Sequence, residues 1–118
     1  MKVIIAGSRS INSMEELEAA IAASGFTISE VVCGCANGVD TLGEWWAKKN
    51  EIPVTYFPAE WGKYGKTAGF KRNAEMANYG EALIALWDGA SNGTRNMVNQ
   101  AKIKNLPVFL CKVAPPQV

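Results

Sequence analysis

The 118-residue chain is long enough for one domain with a real core, and its apolar residues (48%) fall in runs well short of the roughly 18 that a membrane span needs. Twelve basic and eleven acidic side chains leave a net charge of +1, so no overall field draws the protein to nucleic acid. Histidine is absent, which excludes a Ser-His-Asp or Cys-His nucleophile, an imidazole base and any His-ligated metal.

The opening MKVIIAGSRS is too short and too soon polar for a signal peptide, and it reads as a first strand over residues 2–8. A cytoplasmic location is the corresponding expectation. Residues 13–24 read as a helix capped by Ser13, with Glu16 completing a capping box and Leu17, Ala20 and Ile21 forming its apolar stripe. A second strand spans 30–34. A second helix spans 37–50, with Asn37 as cap and Val39, Leu42 and Trp46 inward; Trp45 and Trp46 are both assigned to packing. The third strand covers 53–58 and is followed by an aromatic, basic loop, 59–66. A third helix runs from Thr67 to Tyr79 with Phe70, Ala74 and Ala77 at core spacing. The fourth strand is 81–88, the fourth helix 92–105 with Thr94, Met97, Val98 and Ala101 inward, the fifth strand 107–111, and 114–118 a tail. Cys33, Cys35 and Cys111 are odd in number, lie in strand-like stretches, and are expected to be small buried hydrophobes.

Strands alternating with helices predict one α/β domain over 1–118. Its fold is Rossmann-like and three-layered, with five parallel strands in the order 3-2-1-4-5. In such sheets ligands bind beyond the carboxyl ends of the strands, where the strand order reverses. The unusual loops all fall at that edge: GSRS, GCANGVD, PAEWGKYGK and WDGASNGT.

GSRS offers Gly7 for a tight strand exit, the Ser8 hydroxyl and the Arg9 guanidinium, although the same composition suits an ordinary surface turn. In GCANGVD, Gly34 and Gly38 turn the chain into a helix start whose N–H groups can meet an anion. Asp40 and Glu44, four apart, share a helix face and can hold ribose hydroxyls; Asp40 also fits a capping box with Asn37. In AGFKRNAEM, Gly69, Arg72, Asn73 and Met76 form a stripe separate from the core positions, and Arg72 can fork onto a phosphate. In WDGASNGT, Asp88, Gly89, Ser91, Gly93 and Thr94 compose an anion-binding nest at a helix start. Neither a P-loop nor G-x-G-x-x-G is present. Eight of the twelve basic side chains and three of the eleven acidic ones lie in 61–118, making that half the better home for an anion. Trp61, Tyr64 and Trp87 lie near this edge and can stack on a base.

In this order and spacing, GSRS, G-x-A-x-GVD, FPAEW, AGFKRNAEM and WDG-x-S-x-GT-x-x-M resemble the YspA-type, YpsA-related branch of the SLOG superfamily. That superfamily joins the DprA/Smf proteins and the LONELY GUY phosphoribohydrolases. The resemblance implies a Rossmann-like fold and a nucleotide or nucleotide-derived ligand at the glycine-rich loops. The LONELY GUY motif GG-x-GT-x-x-E falls on Gly93, Thr94 and Met97, so its catalytic Glu is replaced by Met97 and its first glycine pair is missing. That family's helical Arg corresponds in kind to Arg72. The DprA-like members bind single-stranded DNA, and the near-neutral charge argues against the same activity here.

Two functions follow as expectations. The first is a binding module for a nucleotide-like small molecule, without cofactor, metal, membrane or nucleic acid, as monomer or homodimer. The alternative is an N-glycosidic hydrolase using another carboxylate, with Asp40, Glu44 and Asp88 as candidates.

Overall fold

The computed structural model describes residues 1–113; the tail 114–118 lies outside the described residues. Its elements are β1 (Lys2–Gly7), α1 (Met14–Ser24), β2 (Glu30–Cys33), α2 (Val39–Lys49), β3 (Val54–Tyr56), α3 (Trp61–Tyr64), α4 (Ala68–Tyr79), β4 (Ala82–Trp87), α5 (Asn92–Ile103) and β5 (Val108–Lys112). A single 3-10 turn, Gly65–Thr67, joins α3 to α4.

The sheet has the order β3-β2-β1-β4-β5, and every pairing is parallel. Val3 of the central β1 stands opposite Val31 on one side and Ala82 on the other. Side chains alternate across a strand, so β1 feeds both faces. Val3 and Ile5 pack with Leu17 and Ala20 of α1 and Val39 and Leu42 of α2. Ile4 and Ala6 pack with Met76 and Ala77 of α4 and Met97, Val98 and Ala101 of α5. Strands β1, β2 and β4, apolar on both sides, are what a parallel sheet covered by two helical layers demands.

Local chemistry sets the helix ends. Ser13 Oγ accepts the Glu16 N–H at 3.3 Å to start α1, and Gly25, with φ 71°, ends it. Ser91 caps α5 through the Thr94 N–H.

Four expectations need correction. Asn37 does not cap α2: Gly38 holds the cap position with φ 79°, and no side chain closes that end. Phe70 is not core but 47% exposed, because α4 turns Asn73, Met76 and Ala77 toward the sheet instead. Of the stripe read as separate from the core, Asn73 and Met76 are buried, whereas Gly69 and Arg72 are only half-buried. Of the adjacent tryptophans in α2, only Trp46 packs against the core, and Trp45 is exposed; neighbours on a helix point about 100° apart. Among the cysteines, Cys33 is buried, Cys111 half-buried and Cys35 exposed. Among the described residues, no helix is long and apolar enough to cross a membrane.

Candidate functional site

Strand order reverses at β1, which pairs with β2 on one side and β4 on the other, and a cleft of about 160 Å³ opens at the carboxyl ends there. Ala6, Gly7 and Arg9 from β1 and its loop form one wall, with Ala36 and Asp40 from the start of α2. Trp61, Lys66, Gly69, Phe70 and Arg72 add the α3–α4 side of the lining. Ser91, Gly93 and Thr94 close one end, and the buried thioethers of Met76 and Met97 make an apolar floor.

The loops are fixed by one another. The Ser8 hydroxyl, 1% exposed, accepts the Asp88 N–H at 3.0 Å, tying the first loop to the fourth. Asp88 Oδ1 accepts the N–H groups of Ala90 and Ser91, each at 2.8 Å, and Ser10 donates to Oδ2 at 3.2 Å. Those backbone N–H groups hold the Asp88 carboxyl below its ordinary range. Asp88 thus shapes the turn, with Gly89 at φ 89° inside it, rather than lining the cleft. Gly7 and Gly38 are places of close approach: a Cβ on Gly7 would stand 2.3 Å from the Leu86 carbonyl oxygen, and one on Gly38 2.6 Å from that of Ser8.

Arg72 bridges elements. Its Nη1 donates to the Gly34 carbonyl, and its Nε donates to Asn73 Oδ1 at 3.0 Å. The buried Asn73 amide in turn donates to Gly93 O at 3.2 Å and Asn96 Oδ1 at 3.1 Å, locking α4 to the first turn of α5. Gly93 behaves differently from the packing glycines, because a Cβ there would meet nothing within 4 Å. The first-turn N–H groups of any helix lack intrahelical acceptors, and at α5 this turn borders the cleft.

The three candidate carboxylates separate in space. Asp40 is 5% exposed, lines the cleft and accepts the Ala36 N–H at 3.2 Å. Burial pushes its carboxyl up to about 6, opposed by the Ala36 N–H and by the charge of Arg72. Glu44 lies outside the cleft lining, accepting the Tyr56 hydroxyl at 2.6 Å and pairing with Lys48 at 3.1 Å. The Tyr56 hydrogen bond holds its carboxyl below the ordinary range. Asp40 and Glu44 therefore do not work on one spot, although they are four apart on one helix.

Of the loop aromatics only Trp61 lines the cleft. Tyr64 lies under the ammonium groups of Lys63 and Lys71, and Trp87 donates to Ser91 O at 3.0 Å beneath Arg95. Lys66, not singled out from the sequence, adds a third cation beside Arg9 and Arg72; its signal was the basic character of the 59–66 loop. The arrangement is a cleft with three cations, one buried carboxyl of raised pKa, an open helix start and an apolar floor. Such a site suits an anionic group attached to a less polar body.

Two comparisons relate the chain to known proteins. The sequence model of one family, YAcAr, described as "YspA, cpYpsA-related SLOG family", matches residues 1–64, from β1 to the end of α3. The "Uncharacterized SPbeta prophage-derived protein YoqJ" of Bacillus subtilis (strain 168) is 42% identical over 54 residues, 46% of this chain. The match spans 32% of that protein's length, about a third. No solved structure matches the chain significantly. With the family model covering more than half of its residues, the chain belongs to the YspA, cpYpsA-related SLOG family.

Proposed function

We propose that the protein binds a nucleotide or nucleotide-derived ligand in this cleft, with a phosphate held between Arg72, Lys66 and the first turn of α5 at Gly93 and Thr94. The observation that carries this reading is the open space at Gly93. Ser91 caps the Thr94 N–H, but the α5 start is open at Gly93, and the cleft it borders is also lined by Arg72 and Lys66, while Asn73 ties α4 to α5. Arg9 and Asp40 lie toward the sugar, where the Asp40 carboxyl, mostly ionised above its raised pKa of about 6, accepts hydrogen bonds from hydroxyls.

Titration calorimetry with mononucleotides tests it. Charge-assisted hydrogen bonds contribute about 1.5–3 kcal/mol, so Arg72→Ala should weaken binding by about tenfold to a hundredfold. Because Arg72 also donates to Gly34 O, circular dichroism and a thermal melt must show the variant folded. Undiminished affinity in the folded variant removes Arg72 from the site.

One observation favours a second reading, an N-glycosidic hydrolase. Asp40 lies in the cleft with its carboxyl pushed up to about 6, where it can exchange protons near neutral pH. Met97, standing where the resemblance expects the acid, cannot. Free-base release from mononucleotides, followed by chromatography, should be negligible for a binding module. Robust turnover by wild type that disappears in Asp40→Asn would establish the hydrolase instead.

A further inference from the structure

A second compartment, about 240 Å³, adjoins the first and is lined by Gly34, Cys35, Asn37, Pro58 and Ala59. Arg9, Ala36, Trp61 and Arg72 line both compartments, so the two are neighbours across a shared wall. Small-molecule sites usually hold roughly 300–1,000 Å³. Each compartment alone, at about 160 and 240 Å³, falls below that range, and the two joined fall within it. A ligand of ordinary size therefore extends through both.

The chemistry of the compartments differs. Lys66 and the start of α5 belong to the first alone; the second holds no carboxylate or lysine. Beside the shared Arg9 and Arg72, the second has Pro58, Ala59 and Asn37 of its own, and the indole of Trp61, 54% exposed, borders both compartments. The ring leans over α4 at Gly69, where a Cβ would stand 3.3 Å from Trp61 Cη2. An indole face left open beside a cavity is a stacking platform for a flat ring. The exposed Asn37 side chain at the same compartment supplies both a donor and an acceptor, which is what reading the edge of a heterocycle requires.

We infer that the second compartment is the base subsite, in which Trp61 stacks on a purine or pyrimidine and Asn37 reads its edge. This rests on the phosphate reading of the first compartment and adds to it that the ligand carries a heterocyclic base and is more than a phosphosugar.

The test compares AMP, GMP, CMP and UMP with ribose 5-phosphate, which has the phosphate and the sugar but no base. Wild type should bind the best of the four nucleotides about tenfold or more tighter than ribose 5-phosphate. Trp61→Ala, and Ala59→Trp, which fills the compartment, should each bring that ratio close to one. Trp61→Phe should keep most of it. Equal affinities in wild type, or a ratio that survives both Trp61→Ala and Ala59→Trp, would overturn the inference and leave the phosphate reading standing. Failure of every nucleotide and of ribose 5-phosphate to bind would bring down both.

Discussion

Asp40 is the residue whose surroundings have the clearest consequence for solution behaviour. Its folded carboxyl lies at about 6 and its ordinary value is 3.8, the difference arising from burial. Below the ordinary value both states are protonated, and Asp40 does not change stability. As pH rises from about 4 to about 6 the unfolded chain ionises first, so Asp40 removes up to roughly 3 kcal/mol of stability and none thereafter. Thermal melts between pH 4 and 8 should show Asp40→Asn flattening this decline and raising the melting temperature above pH 6. Asn keeps an acceptor for the Ala36 N–H, so the fold should survive. Asp88 acts in the opposite sense. Its lowered carboxyl contributes stability above its ordinary value, lost as pH falls through the folded one. Gly93 gives a second test at this scale. Leucine is a far better helix former, and a Cβ at 93 meets nothing within 4 Å. Gly93→Leu should leave stability unchanged or raise it by up to about 1 kcal/mol. Mononucleotide affinity should fall at least about tenfold in the same variant. A glycine kept only for folding would show no such opposition.

Among the elements, α4 most clearly separates what the sequence disclosed from what it did not. Its length and limits were readable from AGFKRNAEMANYG, but its orientation was not. Phe70 has the apolar bulk of a core residue, yet it lies 47% exposed at the cleft wall, while Met76 packs beneath the sheet. The helix rotates so that Asn73 can reach Gly93 O and Asn96, a pairing across 20 and more residues that no local period reveals. Urea unfolding checks this orientation. Phe70→Ala should change stability by no more than about 0.5 kcal/mol. Met76→Ala should cost about 2–5 kcal/mol. The reverse order would restore the original face assignment. Helix α2 carries a similar lesson: the i, i+4 spacing of Asp40 and Glu44 was legible, but Tyr56 on β3, which draws Glu44 away, was not. The sheet order was legible because strict alternation and right-handed crossovers leave few alternatives.

At the scale of the whole molecule, the carboxyl edge gathers the segments that follow β1, β2, β3 and β4 into one cleft, and the cations there come from both halves of the chain. That local concentration is not expected to make a nucleic-acid surface, because the net charge is only +1. Binding to single-stranded DNA near physiological salt should be no tighter than micromolar, as fluorescence anisotropy would show. On the proposed function, a phosphorylated nucleotide occupies the cleft where the strand order reverses. Amide chemical-shift mapping of the ¹⁵N-labelled protein, titrated with the tightest-binding mononucleotide, tests it most directly. The largest shifts should fall at Gly7, Arg9, Ala36, Arg72, Gly93 and Thr94, with α1 and β5 unmoved. Shifts confined to α1 and β5, or none at millimolar nucleotide, would contradict it.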